Sequence, residues 1–514
     1  MTRLMVARVR VCMLTYVLVC IGIGAAQAQT KRTLLQEDIG FVNASLYGTA
    51  FTNATISAAI SAIGSSTRVL FLPTGTWTIG SSLNIPSNIT LYIPSGTTIT
   101  VNAGNVLSLA TIPQYDQPYW LAGAGTMVIN DATWPIDPRV YGAIGDGATD
   151  NTTALNAALA AASTTNGAIV FPCGTYNFGT TLTVLNGANI KLFGPASGRG
   201  TSTDQCVTLN YTGNSGAGLW FDGTVGVEIG YLSISYSSGS YASSSLVRIN
   251  QVSGSVPTRG VYIHDGSLFG TAASSKTATR LLYIDTASDI TVERLSFGNS
   301  IHAIDGAQTA ANTTVNVRIR DCRFETTLSG TAIDAGGTGW VIEGNRFFVT
   351  STNAGLAFNT TAVGVTGLLY SGNVHLGANS ASTNWWYAQN GAVNGAMLVG
   401  NTFLDSNSSS FCVRPGSSVG VTVMGNSLNC GTGVSGGSGA ATYLVMLGNS
   451  NGSTNPLFTY PGIGSMTQFG SGVGTTQITL GTAGSAAGLK VVCYDPTSNV
   501  GQFRISSTGT DCSN

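Results

Sequence analysis

YGAIGDGATDNTTALNAALAAASTTNGAIVFPCGTY, residues Tyr141–Tyr176, is the stretch whose reading decides the fold. Gly142, Gly145 and Gly147 make a turn-rich opening. Asp150 then precedes a run of good helix formers with Leu155, Leu159 and Ala162 at helical spacing, which predicts a helix over Asn151–Ser163. The Asp150 carboxylate can accept the orphan N–H groups of the first turn, so Asp150 reads as an N-cap and Asp146 as a turn residue. Asn166-Gly167 stops the helix. Ala168–Phe171 is a short buried strand, and Pro172-Cys173-Gly174-Thr175-Tyr176 turns the chain into the next one.

Working outward, an earlier segment echoes this one. Asn53–Ile63 is helix-like, and Val69-Leu70-Phe71-Leu72-Pro73-x-Gly75-Thr76-Trp77 repeats the pattern of Ile169–Tyr176. Leu83–Ile85, Ile89–Ile93 and Thr98–Val101 follow as strands. From Leu182 to Leu447 the chain is repetitive. Asn345, Asn373, Asn401 and Asn426 recur at intervals of 28, 28 and 25 residues, each after a short apolar strand and before another. Asparagines stacked at one turn can hydrogen-bond along a ladder. After Leu447 the periodicity fades into a Gly/Ser-rich stretch and a short β-patterned tail.

The residues Tyr141-Gly142-Ala143, Asp146-Gly147, Thr149-Asp150-Asn151, Ala154, Ala158 and Phe171-Pro172-x-Gly174-Thr175-Tyr176 resemble the opening of the pectate-lyase-like superfamily of secreted right-handed parallel β-helix proteins. That group holds polysaccharide lyases, hydrolases and phage tailspikes. The resemblance implies an all-β chain: a right-handed parallel β-helix whose N-terminal end is covered by the helix. The expected organisation is a signal peptide at 1–28, a small N-terminal β-module at 29–135, the β-helix at 136–450, and a Gly/Ser-rich linker with a C-terminal β-cap at 451–514.

Composition agrees. Charged residues are 8% of the 514 and hydrophobic residues 43%, with 67 glycines, so a core is available and disorder is not expected. Formal net charge is −1, and loss of the leader's Arg3, Arg8 and Arg10 takes it to −4. No basic face for nucleic acid follows from such a balance. Those arginines, the apolar Val11–Ala26 and Ala26-Gln27-Ala28 form a secretory signal, too short in its apolar run for a membrane span. A secreted or periplasmic protein is expected, with no membrane span after cleavage. Seven of nine cysteines remain beyond the leader. Sequence proximity suggests Cys173–Cys206, Cys412–Cys430 and Cys493–Cys512, with Cys322 buried, although pairing cannot be deduced from spacing. His264, His302 and His375 are too dispersed for a zinc site, and no metal site is assigned.

A second column carries the candidate chemistry. Phe221-Asp222, Ile249-Asn250, Ile284-Asp285, Ile304-Asp305, Ile333-Asp334 and Phe358-Asn359 each end a strand with a polar residue, and Ala388-Gln389 and Val413-Arg414 continue the series more weakly. In one register, Asp285, Asp305 and Asp334 would stack on consecutive coils. Adjacent parallel strands lie ~4.8 Å apart, near the 5–5.5 Å of retaining glycosidases, and alternate ones ~9.6 Å. Close carboxylates repel, so one should hold a proton and serve as general acid. Asp305 and Asp334 are the expected acid/base pair, with Asp285 supporting. His302 lies three residues before Asp305, at the groove edge if a turn intervenes, and supports it too. Trp385, Trp386, Tyr387 and Arg414 are the substrate-binding candidates, aromatic rings serving sugar stacking and core packing alike. Asp and Asn at strand ends also make turns onto their own backbone, and Asp222 and Asn250 suit that reading.

By the resemblance, the column lies where polygalacturonase-type hydrolases cluster their aspartates. The chain has no Asn-Thr-Asp, Asp-Asp, Gly-His-Gly or Arg-Ile-Lys motif, so that family's residues do not carry over one by one. A lyase of the group would use Ca²⁺ as its cofactor; otherwise none is assigned. The leading expectation is an exported polysaccharide-degrading enzyme, a glycosidase or lyase. The alternatives are a non-catalytic glycan-binding or adhesive β-helix and a polysaccharide epimerase. The partner is a polysaccharide in each case, and a homo-oligomer is compatible with the tailspike likeness.

Overall fold

The computed structural model describes residues 40–130, 135–165, 167–195, 205–237, 245–251, 256–270, 280–306, 314–325, 331–349, 356–377, 384–387, 391–405, 410–435, 442–450, 458–459, 465–469, 477–482, 490–494 and 503–505. The leader at 1–28 lies outside them. The chain divides into two compact units, one over Met1–Trp134 with Arg139–Gly142, the other over Pro135–Pro138 with Ala143–Asn514.

The first unit is a short coil with three parallel faces. One face pairs Phe41–Asn43, Arg68–Phe71, Ile89–Ile93 and Gln114–Tyr115; another pairs Gly75–Ile79, Thr97–Val101 and Leu121–Ala122. The third pairs Leu83–Ile85, Val106–Leu109 and Thr126–Ile129. Strict alternation builds it: in Ile89–Ile93 and Thr97–Val101 every second residue is buried. The helix Asn53–Ile63 buries Ile56, Ala59 and Ile63.

The second unit is the right-handed parallel β-helix. Its helix spans Thr152–Thr165 and packs on the strands Ala168–Val170, Leu182–Leu185 and Ala188–Phe193. It starts one residue later than the spacing predicts. The Asp150 carboxylate nevertheless accepts from Thr152 N at 2.9 Å, and Asp146 accepts from Ala148 N and Thr149 N. These hydrogen bonds hold both carboxyls below their ordinary pKa, so the two aspartates are turn and cap groups.

Beyond the helix, each coil contributes parallel strands that pair with the coil before and after, from Asp146 to Phe469, and a short antiparallel meander closes the series with Gln477–Thr482, Lys490–Tyr494 and Phe503–Ile505. At one two-residue turn the chain repeats a left-handed glycine followed by asparagine: Gly344 (φ 66°), Gly372 (61°), Gly400 (62°) and Gly425 (61°). Asn345 Nδ2 donates to Asn373 Oδ1 at 3.0 Å, Asn373 to Asn401 at 3.0 Å, and Asn401 to Asn426 at 2.9 Å. The ladder runs one step further, to Asn449. Inside the coils, Phe297, Phe324, Phe347, His375 and Phe403 stack nearly parallel at 4.3–5.0 Å between centroids. His375 is fully buried there, and burial holds its imidazole well below the ordinary pKa.

Cys173–Cys206 and Cys412–Cys430 are disulfide-bonded. Cys322 is buried with its Sγ against the carbonyl oxygens of Val292 and Arg320. Of the expected Cys493–Cys512 pair, Cys512 lies outside the described residues. Among the described residues, no helix is long and apolar enough to cross a membrane.

Candidate active site

One face of the coils carries the site. Its inward residues stack as Leu282, Ile304, Ile333, Phe358, Trp386 and Val413, strand over strand. Because side chains alternate across a strand, the next residue of each strand points outward. That outward column reads Tyr283, Asp305, Asp334, Asn359, Tyr387, Arg414. Going the other way it continues to Arg248 and Trp220.

Asp305 and Asp334 are therefore neighbours, as the sequence predicts, and the third aspartate is not. Asp222, Asn250 and Asp285 share a register, but Asp305 faces Tyr283. The reason is strand length. Arg280–Asp285 and His302–Asp305 begin at paired positions, Arg280 opposite His302, and the second strand is two residues shorter. Aligning the strands by their final aspartate thus displaces Asp285 by two. It accepts the Tyr283 hydroxyl at 2.9 Å instead.

The first residues of the same strands supply cations. Arg280 Nε donates to Asp305 Oδ2, and His302 Nδ1 lies 2.5 Å from Asp334 Oδ2. Each base reaches the aspartate one coil further on. His302 is thus a member of the site rather than an edge residue. These four groups line a cavity of about 380 Å³ together with Asn359, Thr361 and Ala362.

Electrostatics separates the two acids. The Asp305 side chain is 3% exposed. Burial raises its pKa from 3.8 to about 6, with Asp334's charge adding to the rise, against the lowering pull of Arg280 and His302. For His302, burial alone would lower the pKa. The hydrogen bond and charge of Asp334, helped by Asp305, outweigh it and raise the imidazole above its ordinary value.

Calcium does not fit this arrangement. Both carboxylates face cations of the protein, and among the described residues no three His, Cys, Asp or Glu groups gather to hold a metal.

Of the substrate-binding candidates, Trp385 and Trp386 are corrected: both are fully buried. The segment Asn384–Tyr387 is a strand continuing the ladder, so the column runs through Trp386-Tyr387 and not Ala388-Gln389, which lie outside the described residues. Trp386 stacks on Phe358 at 5.1 Å in the core, and Trp385 Nε1 donates to Asp405 at 3.2 Å. Tyr387 takes an outward position between Asn359 and Arg414, its side chain lying outside what is described. Arg414 sits over the Phe411 ring at 4.9 Å.

The sequence reading missed Arg280, Thr361 and the outward stack on the Asp285 side. There the Arg248 guanidinium lies 5.0 Å from the Trp220 ring and 5.6 Å from Tyr283, and Arg280 lies 5.2 Å from Tyr283. Extending the aspartate column backwards in the right register would have found Tyr283, Arg248 and Trp220.

Residues 139–366 match the family model described as rhamnogalacturonase A/epimerase, pectate lyase-like. No curated protein matches the chain. Among solved structures, a surface adhesin of Streptococcus pneumoniae is 14% identical, with 72% of this chain and 99% of that one covered and a TM-score of 0.38. An exopolygalacturonase from Thermotoga maritima is 13% identical, covering 65% and 90%, at 0.42. An Acinetobacter phage tailspike is 13% identical, covering 69% and 65%, at 0.46. At that level these likenesses carry no argument about activity.

Proposed function

We propose that this right-handed parallel β-helix, whose residues 139–366 match a pectate-lyase-like family model, is an exported enzyme cleaving glycosidic bonds of an extracellular polysaccharide. The observation that carries the reading is one cavity holding two aspartates on adjacent coils, one of them with its pKa raised to about 6. Asp305, protonated in mildly acidic solution, gives its proton to the leaving glycosidic oxygen. Asp334, oriented by His302, attacks the anomeric carbon from the other side of the bond. Adjacent strands start the two carboxyl groups ~4.8 Å apart, near the retaining range of 5–5.5 Å, which favours a nucleophile over a base acting through water. Arg280 positions Asp305 and faces the cavity. Trp220, Arg248 and Tyr283 continue the column as a surface on which further sugar rings can stack.

A purely adhesive β-helix has no need of buried acids, each facing a cation in a cavity, since burying charge costs energy. The test is a panel of neutral and acidic polysaccharides, assayed for new reducing ends with the wild type and the double variant Asp305→Asn, Asp334→Asn. Cleavage by the wild type and none by the variant supports the assignment. Equal cleavage by both removes it.

A further inference from the structure

The cavity is lined by residues of two kinds: the charged Arg280, His302, Asp305 and Asp334, and the neutral Asn359, Thr361 and Ala362. The neutral set lies at an irregularity. Ala335 pairs with Thr360 and Gly337 with Val365, so the single residue Gly336 faces four, Thr361–Gly364. Such bulges re-aim side chains. Here the bulge follows two threonines with opposite fates. The Thr360 hydroxyl donates to Gly391 O at 2.7 Å and accepts from Gly391 N at 3.1 Å. The next hydroxyl, Thr361 Oγ1, has no hydrogen-bond partner among the described residues, although Thr361 is only 3% exposed and lines the cavity. A buried hydroxyl left without a partner is costly, so its partner belongs to whatever fills the cavity.

Charge says what that is. With all four groups ionised, the two cations only balance the two carboxylates. With His302 neutral the balance is negative; with Asp305 protonated it is positive by one, yet Arg280 Nε and His302 Nδ1 are turned to the two aspartates. The other described lining residues bring no cation. A carboxylate entering this space would lose its hydration and find each cation already facing an aspartate. Ring hydroxyls, by contrast, match Thr361 and the Asn359 amide.

We propose that the cavity seats a neutral sugar residue, its hydroxyls received by Thr361 Oγ1 with Asn359 beside it, and that Thr361 thereby sets specificity at the cleavage point. This rests on the polysaccharide-cleaving reading and narrows its substrate. The probes are polysaccharide pairs differing only in carboxyl groups, a uronate polymer and its carboxyl-reduced form. The neutral member is expected to have roughly tenfold or greater kcat/KM, since a site built to hydrogen-bond a hydroxyl discriminates strongly against a ligand that does not satisfy it. Thr361→Val should raise KM on the neutral member roughly tenfold with Tm unchanged, because no protein bond is lost. Thr361→Ser should restore part of that loss. Equal or better turnover of the uronate member overturns the proposal, and so does a Thr361→Val variant with unaltered kinetics or a lowered Tm. Activity that persists in the Asp305→Asn, Asp334→Asn variant sinks the catalytic assignment alone. If nothing is cleaved, affinities for the same pairs decide: tighter binding of the neutral member, weakened by Thr361→Val, supports the seat, and no preference or no binding overturns it.

Discussion

Replacing Asp305 by Asn should stabilise the protein at neutral pH while abolishing its activity. The carboxyl is almost fully buried, and its pKa rises from 3.8 to about 6 on folding. Between those two pH values the folded chain keeps the proton and the unfolded chain has lost it. Stability therefore falls as pH climbs from about 4 to about 6, then levels off once both states are ionised. At about 1.4 kcal/mol for each pH unit, the full penalty is at most about 3 kcal/mol. The amide carries no such penalty. Arg280 loses its partner in the variant, but its side chain is 30% exposed and can be hydrated. Urea unfolding of wild type and Asp305→Asn at pH 4 and at pH 7.5 reads the effect, since titrating groups distant from Asp305 cancel in the difference. The variant should gain up to about 3 kcal/mol relative to wild type on moving from pH 4 to pH 7.5. A difference that is independent of pH, or that moves the other way, would refute the account of Asp305 as a strained acid.

Three further outcomes follow from the same geometry. The kcat/KM of a general acid with a pKa of about 6 should drop above about pH 6, roughly tenfold for each pH unit, and Arg280→Met should move that limb to higher pH because the lowering cation is gone; a pH–rate profile flat from 5 to 8 would contradict it. If Asp334 is the nucleophile, the first-formed product keeps the anomeric configuration of the substrate, which proton NMR during the first turnovers reads directly. Asn373→Ala removes four buried hydrogen bonds, two from Asn345 and one each to Ile342 O and Asn401 Oδ1, and should cost about 4 kcal/mol in urea unfolding; a loss below about 1 kcal/mol would mean that the ladder is incidental.

The fold was legible because its strongest signals are local and repeated. The stretch Tyr141–Tyr176 contains its own turn, cap, helix stop and strand, and each is set by residues within reach of one another. The asparagine ladder was legible because one residue type recurs at a turn that does not vary in length. The site was half legible. Asp305 ends its strand and Asp334 pairs with it inside Thr331–Glu343, each following an isoleucine of the same register, so reading by the Ile-Asp pattern pairs them correctly. Asp285 misleads by the same rule, because its strand is two residues longer than the next. Arg280 opens a strand after a long connection, where no repeat points to it. Trp385-Trp386 sits among small polar residues and resembles a loop insertion, yet it fills the core position that Phe358 fills one coil earlier.

The cavity lies where the regular stack is interrupted on both sides. On one side the shortened strand His302–Asp305 withdraws Asp285 from the column; on the other, four residues of the next turn face one. Both interruptions have an energetic consequence. Had the register been kept, three carboxylates would have stood one above another at ~4.8 Å, and their mutual repulsion would have forced protonation or local unwinding. The shift sets Tyr283 opposite Asp305 in the register and leaves Asp334 as the aspartate paired with it, its charge adding to the rise that burial gives the Asp305 pKa. The period of two keeps Asp285 on the same face, so Tyr283 can hold its carboxylate to the side of the pair. The bulge past Asp334 breaks the pairing where Thr361 and Ala362 line the cavity. A perfectly regular coil would have had the same residues and no site.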